Sequence, residues 1–255
     1  MKTDPKDLQI AELQRKNKQL ESALESLQSL ATLGELSGVT AHEFNNILTL
    51  TINYARMGLR RTDNETREKA FNKILEASNR AAKIVAVSLG LARNRKPGRE
   101  PLDITALVED VLLLLEKEMT KFRIRIERKF EPTPKVLANG NQIQQVLINL
   151  LVNARQASPN GGRIVVKIRP YAEDPQNNVE IVVRDFGTGI PKETLPHIFD
   201  MFYTTKSGPD ATGKGGSGLG LSLCKKIVEE HKGKIRVESA DNVGTSISIR
   251  LPVAR

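Results

Sequence analysis

The chain is 255 residues long, room for one large domain or two small ones, and its 39% hydrophobic and 27% charged residues are ordinary for a soluble globular protein. No apolar run approaches the roughly 18 residues of a membrane span, Met1-Lys2-Thr3-Asp4-Pro5 is no signal peptide, and the single cysteine, Cys224, excludes an internal disulfide and fits a reducing, cytoplasmic setting. A net charge of +9 can mean nucleic acid, an anionic membrane, or acidic protein partners and phosphate ligands, but 4% aromatic residues with no Trp offer poor stacking platforms for bases, so nucleic acid is not an expected partner.

Residues 8–34 carry a heptad pattern, with Ile10, Asn17, Leu24 and Ala31 at a and Leu13, Leu20 and Leu27 at d. The stripe is narrow and its flanks are Gln, Lys, Arg and Glu, which predicts a coiled coil over residues 1–32 rather than one amphipathic helix packed on its own protein. Asn17 in the a row fixes register and favours a parallel homodimer. The helical pattern continues without proline through Leu33, Leu36 and the cluster Thr40-Ala41-His42-Glu43-Phe44-Asn45-Asn46-Ile47-Leu48 to about Arg60. A polar turn follows at 61–66, where Asp63 or Asn64 can cap the next helix. Phe71, Ile74, Leu75, Ala81, Ala82, Val85 and Leu89 then recur at helical spacing up to Ala92. A hairpin of two such helices has one apolar face to bury, and two hairpins together make a dimeric four-helix bundle over residues 33–95, with His42 on its side.

Arg93–Glu100, with Lys96-Pro97-Gly98, breaks the helix and marks a domain boundary. From residue 96 to 255 helices and strands alternate. Asp103 can cap a helix through Leu115, a strand covers Phe122–Phe130, and Asn139–Ala157 is a second helix. Arg163–Arg169 and Val179–Arg184 are β-branched strands, a third helix lies near 218–231, and Lys234–Ser239 and Thr245–Leu251 close the chain as strands. The expected fold is α+β, with the N-terminal helical bundle followed by an α/β sandwich whose mixed sheet is covered on one face by helices.

Four motifs run through that second half. Asn149 and Asn153 stand at i and i+4, on one helix face; amide oxygens are hard ligands suited to Mg²⁺, though by themselves two such residues are more often buried or capping amides. Asp185-Phe186-Gly187-Thr188-Gly189 directly follows a strand; its glycines admit a flat ligand and its carboxylate can accept from an exocyclic amine. Gly213-Lys214-Gly215-Gly216-Ser217-Gly218-Leu219-Gly220-Leu221 leads into a helix, whose free N–H groups attract phosphates. It is neither a P-loop nor a dinucleotide-binding fingerprint. Gly244-Thr245 opens the last strand.

In this order, with a His-Glu helix upstream, the motifs resemble those of histidine kinases over residues 33–253, nearly the whole chain. The second half is similar to their ATP-binding domain, shared in fold with gyrase-type ATPases. The resemblance implies a two-component sensor kinase that uses ATP and Mg²⁺, phosphorylates itself on His42, and passes the phosphoryl group to an aspartate on a response regulator receiver domain. Carried onto this sequence, it makes Glu43 the general base and Asn46 the residue that helps dephosphorylate the receiver. Asn153, helped by Asn149, would hold Mg²⁺, and Asp185 would bind the adenine amine in a pocket shaped by Gly187 and Gly189. Gly216, Gly218, Leu219 and Gly220 would cradle phosphates, and Thr245 would support Asp185. Phe199-Asp200-Met201-Phe202 matches the segment ahead of a mobile lid, which Thr204, Thr205 and Lys206 enter. Many relatives have proline five residues after the histidine; here it is Ile47. The coiled coil would take its signal from an upstream sensor protein or from a preceding part of a longer kinase. His197, His231 and Cys224 are expected to have packing or surface roles. A protein serine kinase on the same nucleotide fold and a dimeric ATP-binding scaffold are the competing readings.

Overall fold

The computed structural model describes residues 45–92, 98–158, 161–204 and 218–254, together with Glu12, Arg15 and Lys16, which are helical. The rest of the coiled coil expected over 8–34 lies outside the described residues, as do His42, Glu43, Thr205, Lys206 and Gly216. Helix α1 occupies residues 45–60 and α2 Asn64–Ala92. The turn between them ends at Asp63, whose carboxylate accepts the Thr66 N–H at 2.8 Å, so the aspartate and not Asn64 is the cap. Near the turn the two helices approach closely because the facing residues are small: a Cβ at Gly58 would sit 3.4 Å from that of Ala70. Farther along, Ala77 and Ile84 of α2 are buried in the same core as the domain that follows, and Arg80 reaches Glu116 at 2.7 Å.

That domain runs β1 (Glu100–Leu102), α3 (Ile104–Lys121), β2 (Ile124–Phe130), β3 (Val136–Ala138), α4 (Gly140–Gln156), β4 (Gly162–Pro170), β5 (Asn178–Asp185), α5 (Gly220–Glu230), β6 (Lys234–Ala240) and β7 (Gly244–Pro252). Five strands form one mixed sheet in the order β2-β4-β5-β7-β6. β2 and β4 are parallel, which requires a crossover, and α4 supplies it. The other neighbours are antiparallel. Alternation along each strand does the rest. Ile164, Val166 and Ile168 of β4, Val179, Ile181 and Val183 of β5, and Ile247, Ile249 and Leu251 of β7 are buried towards α3, α4 and α5. Their intervening neighbours form the opposite face. The expected two-layer sandwich is present.

Three local departures from the sequence reading have physical causes. α3 does not stop at Leu115 but continues to Lys121. The run Glu116-Lys117-Glu118 reads as a polar end, yet Glu118 is buried and pairs with buried Arg155 of α4 at 3.2 Å. The Arg155 guanidinium also lies 4.5 Å from the centre of the Phe122 ring. β2 begins at Ile124 instead of Phe122, because Arg123 adopts a left-handed turn at φ 55°. The ribbon β1–β3, three residues a side, carries no alternating signal and pairs only through the tertiary fold. Glu118→Ala would remove the carboxylate paired with a buried guanidinium and should cost about 3–5 kcal/mol of stability. In urea unfolding, Glu118→Leu combined with Arg155→Met should recover most of that loss.

His231, at the end of α5, is 1% exposed. Its Nδ1–H donates to the Ile227 carbonyl at 2.7 Å, and Nε2 accepts the Asn139 N–H at 3.0 Å. It thereby ties α5 to the residue that caps α4. Only the neutral ring satisfies both bonds, and burial holds its pKa below the ordinary 6.5. The unfolded chain therefore takes up the proton first. This contribution to stability is full above about pH 6.5 and is lost as pH falls below it. Unfolding midpoints should decline as pH falls below about 6.5, and should decline less in His231→Gln. Among the described residues no helix is long and apolar enough to cross a membrane.

Candidate active site

Helix α4 is the wall on which the sequence motifs meet. At its C-terminal end the Ala157 carbonyl accepts the Thr188 N–H at 2.9 Å, drawing in the loop that leaves β5. Gly187 lies so close to that carbonyl that a Cβ there would overlap the oxygen, which explains glycine at this position. Two turns earlier, Asn149 lies against the start of α5, with 3.9 Å between its Oδ1 and a Cβ built on Gly220. At 1.5 Å per residue the two contacts are about 12 Å apart. Asn153 stands between them on the same face.

Asp185, the last residue of β5, is 4% exposed. Its Oδ1 accepts the Gly187 N–H at 2.9 Å and the Thr245 N–H at 3.2 Å. Burial raises its pKa above the ordinary value, and the two amide bonds oppose that rise. Among the described residues no protein donor reaches Oδ2, so the carboxylate is oriented by its own backbone and keeps one oxygen for a ligand. Thr245 supports it by its main chain, while its hydroxyl lies 2.9 Å from Ser239 Oγ. Ser239 in turn accepts the Ile190 N–H at 2.9 Å and donates to the Gly244 carbonyl at 3.1 Å. The loop is therefore pinned on its second side too, where Gly189 abuts the Ala240 carbonyl. Neither Ser239 nor the Ala157 carbonyl was apparent as a site component in the sequence. Ser239 becomes recognisable only through its register opposite Thr245, and a carbonyl carries no residue signature.

At the other end of the wall, α5 begins at Gly220 with Leu219 preceding it and no side-chain cap, a helix start of the kind that suits an anion. Gly218 (φ 67°) packs against the backbone of Phe202, itself at φ 64°. The two flanks of the segment 205–217 thus touch each other. The amide Nδ2 of Asn149 is buried, and the Asn149 side chain bonds the buried Cys224 thiol. Hard amide oxygens beside a helix N-terminus are a donor set that suits a phosphate-bound Mg²⁺. Of the helical cluster upstream, Asn46 is half-buried in α1 next to buried Ile47, while Leu48 is 56% exposed.

A family model described as "Histidine kinase-, DNA gyrase B-, and HSP90-like ATPase" matches residues 138–255. The solved mycobacterial sensor histidine kinase MprB superposes with a TM-score of 0.52 at 30% identity, covering 60% of this chain and 97% of that one. The chain belongs to the histidine kinase family. Sensor kinase CckA of Brucella abortus is similar to this family member at 35% identity over 250 residues, which is 92% of this chain and 26% of the relative. The chain thus spans about a quarter of that curated relative's length. A solved complex of histidine kinase ThkA with response regulator protein TrrA is also similar, at 29% identity and TM-score 0.52, covering 92% of this chain and 66% of that one.

Two further groups of this kinase-family chain, His197 and Cys224, show surface and packing environments. His197 is exposed, with Nδ1 2.9 Å from Asp200 Oδ2 and its ring 5.6 Å from that of Tyr203. Cys224 is buried under α4, within 3.9 Å of the Val146 carbonyl, and burial pushes its thiol up to about 12. Such a thiol is unreactive, in keeping with a packing role.

Proposed function

We propose that the chain is the catalytic core of a two-component sensor kinase that phosphorylates His42 from ATP and transfers the phosphoryl group to an aspartate of a response regulator receiver domain. The observation that carries this reading is the placement of Asp185, the Asn149/Asn153 face and the α5 N-terminus along one helical wall. Asp185 Oδ2 accepts from the adenine amine, and Gly187 and Gly189 let the loop close on the base. The N–H groups at Gly218, Leu219 and Gly220, with Gly216, receive phosphate oxygens. Asn153 and Asn149 hold Mg²⁺, which supplies charge neutralisation on those oxygens. Phe202, Thr205 and Lys206 belong to the lid that excludes water.

His42 attacks as a neutral imidazole. Its ring nitrogen forms the N–P bond as the bond from the γ-phosphorus to the ADP oxygen breaks, and the proton on the other nitrogen passes to Glu43. The work needs a second hairpin to complete the bundle: Leu59, 88% exposed, together with Leu48, Phe71 and Leu75 leaves an apolar surface on this one, which supports a homodimer. The solved ThkA–TrrA complex supports a receiver as partner. Asn46, one turn from His42, orients the water that removes phosphoryl from the receiver.

Incubation with γ-labelled ATP tests the reading. Acid-labile, base-stable label on the chain is the expected result. Acid-stable label would identify a serine kinase instead, and Mg-ATP binding with no label would identify a scaffold. Asn46→Ala should slow receiver dephosphorylation by about tenfold to a hundredfold and leave autophosphorylation intact. Unchanged dephosphorylation, followed by phosphate release, would remove Asn46 from that role.

A further inference from the structure

The sheet face turned away from α3, α4 and α5 takes no part in the site. Strand alternation and register put Arg163, Lys167 and Arg169 of β4 on that face, with Arg184 of β5, Arg236 of β6 and Arg250 of β7. Its acidic members, Glu127, Glu180 and Glu238, are fewer, and two of them are already engaged. Glu127 lies 2.9 Å from Lys129 and 3.6 Å from Arg163, and Glu180 lies 2.7 Å from Arg169. Val165 and Val182, in the middle of this face, are buried even though the helices cover the other side. Long Arg and Lys side chains can cover such positions with their stems and keep their charged heads in water. At one edge Phe186 is held between two guanidiniums, 4.1 Å from Arg163 and 4.9 Å from Arg184.

We propose that this face docks an acidic surface of another protein, seated on the Arg163–Phe186–Arg184 stack. The charge has the sign for it, and the planar fork of arginine matches carboxylates, which Glu180 and Arg169 already show on the same face. Duplex nucleic acid fits less well, because a flat sheet face projects no helix or ribbon into a groove. A lipid surface also fits less well. Phe186 is the face's one exposed large apolar side chain among the described residues, so there is little to insert between acyl chains. Phe186 directly follows Asp185, so the docking face adjoins the nucleotide loop.

The test uses the full chain and a fluorescent poly-glutamate peptide as probe, at low and at near-physiological salt. Lys167→Glu with Arg236→Glu reverses two positions of the face that make no ion pair among the described residues. Lys69→Glu with Lys135→Glu changes net charge equally, elsewhere on the surface. The face variant should bind the peptide about tenfold more weakly, with the control pair near wild type and autophosphorylation unchanged in both. If the reversed chain melts early, Lys167→Ala with Arg236→Ala gives the same comparison with a smaller effect. Equal losses in the face and control variants would overturn the proposal, since net charge alone would then explain binding. So would tighter binding of duplex DNA or of phosphatidylserine vesicles than of the peptide.

Discussion

A chain carrying His42→Gln is expected to incorporate no label from γ-labelled ATP, a loss of at least about a thousandfold. Glutamine keeps the helix and much of the side-chain volume, but its amide nitrogen pair is delocalised into the carbonyl and is no nucleophile. No neighbouring group can take over, because Glu43 and Asn46 offer oxygen and amide, not imidazole. Nucleotide binding should be nearly unchanged, since it is assigned to α4, α5 and the β5 loop. Equilibrium binding of a fluorescent ATP analogue alongside the labelling assay separates the two effects. Residual acid-labile label in the variant would place the acceptor on another histidine, and His197 and His231 are the remaining candidates in the chain.

Asp185→Asn should produce the second large effect, confined to nucleotide affinity. The amide oxygen can still accept the Gly187 and Thr245 N–H groups that Oδ1 accepts now, so the loop keeps its shape. The NH₂ group then replaces Oδ2 and faces the adenine amine, donor against donor. Losing that charged acceptor costs about 3 kcal/mol, roughly a hundredfold in Kd for ATP. Stability should move the other way or stay level. Burial raises the Asp185 pKa above 3.8, so ionisation weakens the fold as pH rises through that raised value, and a neutral amide escapes the penalty. Weak ATP binding with an unchanged or higher melting temperature is the expected pair of results. A variant that binds ATP normally would show that the adenine amine is read elsewhere.

The two ends of the site were legible to different degrees. Asp185 announced itself because a carboxylate at a strand end followed by glycines has few packing uses, and Gly187 because glycine there lets backbone approach a flat ligand; its fit beneath the Ala157 carbonyl came only from the fold. Ser239 gave no signal: a serine near the end of an alternating strand is ordinary until its register opposite Thr245 is known. The buried Glu118–Arg155 pair misled the reading of α3, since charge in a sequence looks like solvent exposure until a partner is found 37 residues away.

Local chemistry determined what the sequence alone could show. Hydrophobic period, capping residues and glycine clusters act over a few neighbours, and they gave the order of helices and strands, the two-layer fold and the motif residues on α4, after β5 and before α5. Contacts between elements distant in the chain decided the remainder. The order β2-β4-β5-β7-β6, the ribbon β1–β3, the pinning of the Asp185 loop between Ala157 and Ser239, and the arginine-rich outer face all depend on which strands become neighbours. Pairing register is set by burial of one face across the whole sheet, and no window of adjacent residues contains that information.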